Sequence, residues 1–143
     1  MHVSDVMTHE VAVADIKATV HDVAGIMRTQ DCGFVPILEA GRLVGVVTDR
    51  DLAVRCLADD AFDGPIGDMP IAHFMTADDL VTIAPDETIA VAAHTMALRR
   101  VRRLAVTTDG IVHGVLSLGD LEQAMHGRGA AAREAVLAVT LPD

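Results

Sequence analysis

The chain carries one sequence unit twice. Val3-Ser4-Asp5-Val6-Met7-Thr8 is answered by Ile71-Ala72-His73-Phe74-Met75-Thr76, and the likeness runs on to the end of each unit. With one residue inserted before the first helix, the later landmarks match at a constant offset of 69: Met27 with Met96, Gly41 with Gly110, Gly45 with Gly114, Thr48 with Ser117, Asp51 with Asp120, Leu52 with Leu121. A period this long in only two copies does not describe a solenoid, which needs about three or more repeats to bury its faces. It points to two similar supersecondary units packed face to face about a pseudo-twofold axis, and two such units make two related clefts.

Within each copy the pattern reads β-α-β-β-α. Val11 and Val13, answered by Val81 and Ile83, alternate as a short strand does, and Thr19 or Asp86 stands where a helix cap is wanted. Val20, Val23, Ala24 and Met27 then fall at i, i+3, i+4 and i+7, as do Ile89, Ala92, Ala93 and Met96, giving each helix one apolar stripe. Strands at 34–38 and 43–47 flank Glu39-Ala40-Gly41-Arg42, and strands at 104–107 and 111–116 flank Thr108-Asp109-Gly110, with Gly where a tight hairpin needs it. A second helix opens at Thr48 or Ser117. The organisation is therefore repeat 1 over residues 1–57, a linker rich in Asp, Gly and Pro over 58–70, repeat 2 over 71–127, and an Ala-rich helical tail over 128–143.

Composition narrows the function. A chain of 143 residues is one domain's worth and buries roughly 68–70% of its unfolded surface. It has no Trp or Tyr and three Phe, so aliphatic side chains and Met must fill its core. With few aromatic rings to stack on and 21 acids against 11 bases, it lacks what nucleic-acid binding normally uses. No apolar stretch approaches the roughly 18 residues of a membrane span, and no export signal stands at the N-terminus, so a cytoplasmic protein is expected. Cys32 and Cys56, both in the first copy, suit a reducing compartment and two packed thiols.

Met-Thr ahead of a short strand, an apolar helix, Phe34-Val35-Pro36-Ile37, the Gly-x-x-x-Gly hairpin of Gly41 and Gly45, and Val-Val-Thr-Asp-Arg-Asp-Leu together resemble the cystathionine-β-synthase (CBS) domain, and two in tandem resemble a Bateman module. The resemblance covers about 110 of the 143 residues. It implies an α/β (α+β) fold of two pseudo-symmetric β-α-β-β-α repeats packed sheet to sheet. It also implies a regulatory sensor of adenine nucleotide (AMP, ADP or ATP) that acts on a partner protein, is not an enzyme, needs no cofactor and forms a homodimer, as similar modules do.

The chemistry is expected at Thr48-Asp49-Arg50-Asp51 and Ser117-Leu118-Gly119-Asp120, each a hydroxyl and a carboxylate three apart after an apolar strand. That spacing is also a capping box, which closes a helix start with or without a ligand. In CBS domains the equivalent Asp resembles a ribose reader, accepting from the 2′ and 3′ hydroxyls as the acid of a dinucleotide fold does. Strand alternation puts Val46 beside Thr48 and Val115 beside Ser117, where an apolar side chain could cover adenine.

Phosphates need cations, and Arg99-Arg100-Val101-Arg102-Arg103 supplies four where the first copy has Gln30-Asp31-Cys32-Gly33-Phe34. Arg99 and Arg100 suit a helix C-terminus. Arg102 and Arg103 resemble the family's phosphate contacts and, by pseudo-symmetry, are expected to serve the cleft of Thr48 and Asp51, leaving Gly33 and Phe34 to that of Ser117 and Asp120. The second copy departs from the family at Ala105, where the first has Pro36, and at Leu118-Gly119.

Seven histidines, among them His94, His113 and His126, show no ligand spacing, so no metal site is expected. No nucleophile elbow or Walker loop is present. The competing readings are a ligand-free dimeric scaffold whose Asp residues only cap helices, and a metal- or redox-responsive stress protein using Cys32 and Cys56.

Overall fold

The computed structural model describes residues 1–59 and 63–126. The expected tail helix lies outside them, as does part of the linker. The chain is mixed α+β, with two three-stranded sheets ordered β1-β2-β3 and β4-β5-β6. Among the described residues the strands and α-helices are α1 (Val3–Val6), β1 (Ala14–Asp15), α2 (Val20–Gln30), β2 (Phe34–Glu39), β3 (Arg42–Thr48), α3 (Asp49–Asp51), β4 (Thr82–Ile83), α4 (Ile89–Arg99), β5 (Arg103–Thr108), β6 (Ile111–Ser117) and α5 (Leu118–Met125), with short 3-10 turns at Ile66–Asp68 and Ile71–His73. In each sheet the first strand is parallel to the second, and the second is antiparallel to the third.

Sequence repeat and compact unit are out of phase. Residues 12–80 form one compact unit, the first-sheet unit; residues 1–11 join the described residues from 81 on in the other, the second-sheet unit. Burial explains the exchange. Val3 and Met7, from the start of the chain, pack with Leu104, Val106, Leu116 and Leu121. Ile71 and Phe74, which open the second repeat, pack instead with Val35, Ile37 and Val47 of the first sheet. Val3 and Ile71 are fully buried, each contributing about 1.5–3 kcal/mol relative to exposure.

The hairpins follow their turn residues. Ala40 and Gly41 sit at φ 51° and 80°, Asp109 and Gly110 at 50° and 82°, the two-residue left-handed turn whose twist matches the flanking strands. Both β2 and β5 shift register once, after Ile37 and after Val106, again 69 residues apart.

Three details depart from the sequence reading. The first strand lies at Ala14–Asp15, not at Val11 and Val13: the offset of 69 already holds there, so Ala14 matches Ile83, both buried, while Val13 is exposed. The cap of α4 is Thr88, the match of Thr19, whose hydroxyl accepts from the Val91 N–H at 3.2 Å; Asp86 precedes it. Finally, Ile89, Ala92, Ala93 and Met96 are all buried, whereas in α2 only Val20 and Val23 are, and Ala24 faces solvent.

Candidate functional site

In β3 and β6 the side chains alternate about the sheet. Val47 and Leu116 are fully buried on the core side, so Val46 and Thr48, and likewise Val115 and Ser117, lie together on the opposite face, each partly exposed. Cross-strand neighbours share that face. Phe34 and Pro36 stand opposite Thr48 and Val46; Arg103 and Ala105 stand opposite Ser117 and Val115.

Each strand then ends in a closed box. The Thr48 N–H donates to Asp51 Oδ2 at 2.8 Å while the Asp51 N–H donates to Thr48 Oγ1 at 3.1 Å. Ser117 and Asp120 repeat the arrangement at 2.9 and 3.0 Å. Helix starts are thereby satisfied in both units. The boxes are not identical beyond that. Arg55 Nη1 lies 3.9 Å from Asp51 Oδ1, and Ala124 is the matched residue in the second-sheet unit. After Asp51 the helix continues as a π-helical turn over Leu52–Leu57, whereas α5 is regular.

Backbone bonds tie the approach to each box. The Asp49 N–H donates to the Gly33 carbonyl at 3.0 Å, and the Leu118 N–H to the Arg102 carbonyl at 2.8 Å. Within its own unit, therefore, the pair Arg102 and Arg103 borders Ser117 and Asp120, while Gly33 and Phe34 border Thr48 and Asp51. Arg102 and Arg103 are exposed.

The sequence reading gave no role to the Met-Thr pairs, and the structure does. Thr76 exchanges both backbone bonds with Val46, at 3.0 and 2.8 Å, and Thr8 exchanges both with Val115, at 2.9 and 3.1 Å. The methionines sit over glycine. A Cβ on Gly45 would meet Met75 Sδ at 2.6 Å, and one on Gly114 would meet the Thr8 carbonyl oxygen at 2.5 Å and Met7 Sδ at 2.8 Å. Each Met-Thr thus straps the strand carrying Val46 or Val115. The signal was present in the sequence as two repeated features, Met-Thr and the hairpin glycine, whose contact only the fold reveals.

Cys56 is fully buried, and burial, with the Asp59 charge adding to it, pushes its thiol above the ordinary cysteine range, which suppresses the reactive thiolate at neutral pH. Among the described residues, no three His, Cys, Asp or Glu side chains gather as a metal site requires. No helix there is long and apolar enough to cross a membrane.

The CBS domain model matches residues 3–57 and 71–127, the two segments that each carry a Met-Thr strap, a hairpin and a box. The chain belongs to the CBS domain family. This CBS pair is 34% identical over 119 residues to the CBS domain-containing protein YhcV of Bacillus subtilis, covering 83% of this chain and 81% of that one. Its fold is similar to that of the CBS domain pair of protein MJ0100 in complex with 5′-methylthioadenosine and S-adenosyl-L-methionine, with a TM-score of 0.78, 23% identity, and coverage of 90% and 98% of the two chains. It is similar also to Hypoxic Response Protein I with two coordinated zinc ions, with a TM-score of 0.74, 24% identity, and coverage of 87% and 98%.

Proposed function

We propose that this CBS pair is a regulatory module that binds an adenosine-based ligand, an adenine nucleotide foremost, and transmits its occupancy to a partner protein. One observation carries the reading. In both units an apolar side chain, a hydroxyl and a carboxylate recur at fixed spacing on the face away from the core: Val46, Thr48 and Asp51, and Val115, Ser117 and Asp120.

The three groups suit one ligand. The valine covers the base, the hydroxyl and its strand end sit beside the sugar, and the carboxylate accepts from the ribose hydroxyls. Oδ2 of each Asp closes the box, so the ribose hydroxyls would be taken by Oδ1, which in Asp51 lies 3.9 Å from Arg55 Nη1 and in Asp120 has no matching arginine. The MJ0100 pair, of the same fold, is seen with two adenosine derivatives, which supports the ligand class. Arg102 and Arg103 supply the phosphate contacts. The register favours the site of Ser117 and Asp120 for them, a different pairing from the one pseudo-symmetry suggested. Binding regulates only through different affinities for two states of the module or its complex.

A second reading is favoured by the boxes themselves, whose hydrogen bonds give both carboxylates a structural task whether or not a ligand binds. Thermal shift separates the two. Ligand at about 100 times its Kd stabilises the folded chain by about 2.7 kcal/mol. AMP, ADP, ATP, adenosine or S-adenosylmethionine should therefore raise the midpoint. A midpoint unmoved by all five supports the scaffold.

A further inference from the structure

At one place the two units reverse the sign of charge. Position 33 matches position 102 by the offset of 69, and both carbonyls accept the first N–H of the following helix, from Asp49 and Leu118. In the second-sheet unit a side chain leaves this point, that of Arg102. In the first-sheet unit the residue is Gly33, and the vacated space holds the carboxylate of Asp49: a Cβ on Gly33 would lie 2.6 Å from Asp49 Oδ2 and 2.9 Å from its Cγ. The neighbouring strand position repeats the contrast, with Arg103 across from Ser117 but Phe34 across from Thr48.

Two cations of the first-sheet unit stand near its box. Arg55 lies against Asp51, and Arg50, exposed, follows Asp49, whose Oδ1 accepts the Arg50 N–H at 2.9 Å. At the matched positions the second-sheet unit has Leu118, Gly119 and Ala124. Where the second-sheet unit has Arg102 and Arg103, the first-sheet unit thus has the Asp49 carboxylate in the space at Gly33 and the ring of Phe34, with Arg50 and Arg55 as its own nearby cations.

We infer that the two sites are selective for opposite ligand charge: Ser117 and Asp120 take a phosphorylated adenosine, Thr48 and Asp51 take an uncharged or cationic adenosyl ligand, and Asp49 sets the difference. The inference rests on the adenosine-ligand reading above and goes beyond it by dividing the ligands between the sites. A phosphate gains charge-assisted hydrogen bonds at the first site and repulsion at the second.

The experiment is isothermal titration of the intact chain with adenosine, AMP and S-adenosylmethionine, which are uncharged, anionic and cationic. Asp51→Ala leaves the site of Ser117 and Asp120, and should bind AMP about tenfold or more tighter than adenosine. Asp120→Ala leaves the other site, and should bind adenosine and S-adenosylmethionine at least as tightly as AMP. Adding Asp49→Asn to Asp120→Ala should improve AMP relative to adenosine by about two- to fivefold, the range for an exposed charge. Asp49 is exposed and outside both boxes' side-chain bonds, so this variant keeps the fold. Replacing Gly33→Arg and Asp49→Leu together should strengthen the effect. Equal AMP-to-adenosine ratios at the two sites, or a ratio that Asp49→Asn does not move, overturn the inference while leaving the ligand class standing. Wild-type chain that binds none of the three overturns both.

Discussion

Ala40 holds a backbone conformation that alanine adopts only at a cost. At φ 51° its Cβ crowds the following carbonyl, a penalty of about 1–2 kcal/mol for an ordinary residue and less for Asn or Asp. The matched residue is Asp109, at φ 50°. Ala40→Asn should therefore stabilise the chain by about 0.5–1 kcal/mol, and Asp109→Ala should destabilise it comparably, read as shifts of the urea midpoint. A lower midpoint for Ala40→Asn would mean that the turn is not left-handed. Asp22 makes a different residue-scale prediction. The Thr19 N–H and hydroxyl, which bond its carboxylate, lower its pKa below the usual value. A depressed folded pKa gives stability that is complete above the unfolded value of about 3.9 and is lost as pH falls through the folded one. Wild type should thus lose more stability than Asp22→Asn between about pH 5 and pH 2, measured by thermal midpoints across that window.

At the scale of elements, the straps are the most exacting contact. A Cβ on Gly114 would lie 2.5 Å from the Thr8 backbone oxygen, whereas one on Gly45 would first meet Met75 Sδ, at the far end of a flexible side chain, with the Thr76 oxygen at 3.2 Å. A methyl group at 114 must displace backbone, and one at 45 can be met by a rotamer change. Gly114→Ala should cost about 1–3 kcal/mol and Gly45→Ala less, by chemical denaturation. Equal costs would show that the strap yields as easily as a side chain. Much of this level was legible in the sequence: both hairpins, both capping boxes and the faces of Val46 and Val115 follow from periodicity and turn chemistry. Periodicity could not place the small Ala14 as the inward strand residue, because Val11 and Val13 alternate more plainly. Nor could it show that α1 and the segment at 71–76 exchange units, since Val3 and Ile71 look equally able to pack on either sheet. For the arginines, pseudo-symmetry points to the box of the other unit, whereas the fold gives Arg103 a neighbour in its own unit, Ser117, that linear spacing does not reveal.

For the whole molecule, the exposed apolar side chains argue for self-association. Val54 and Leu57 in the first-sheet unit are 56% and 70% exposed, and Val91 and Leu98 in the second-sheet unit 43% and 70%. Their matched positions are polar: Gln123 and His126, Asp22 and Thr29. We expect a homodimer that covers them, so light scattering should give twice the mass of 15.1 kDa and Leu57→Glu with Leu98→Glu should return the monomer. A monomeric mass for wild type at micromolar concentration would contradict it.

The central claim is that the two boxes hold an adenosine-based ligand as well as cap helices. Each carboxylate loss costs about 0.5–2 kcal/mol of stability on either account, so stability alone cannot decide. The deciding measurement is isothermal titration of AMP, adenosine and S-adenosylmethionine into wild type and into the folded Asp51→Ala, Asp120→Ala double variant. Heats of binding in wild type for at least one of the three, lost in the double variant, are predicted. Binding that survives both substitutions, or is absent from wild type, would contradict the account.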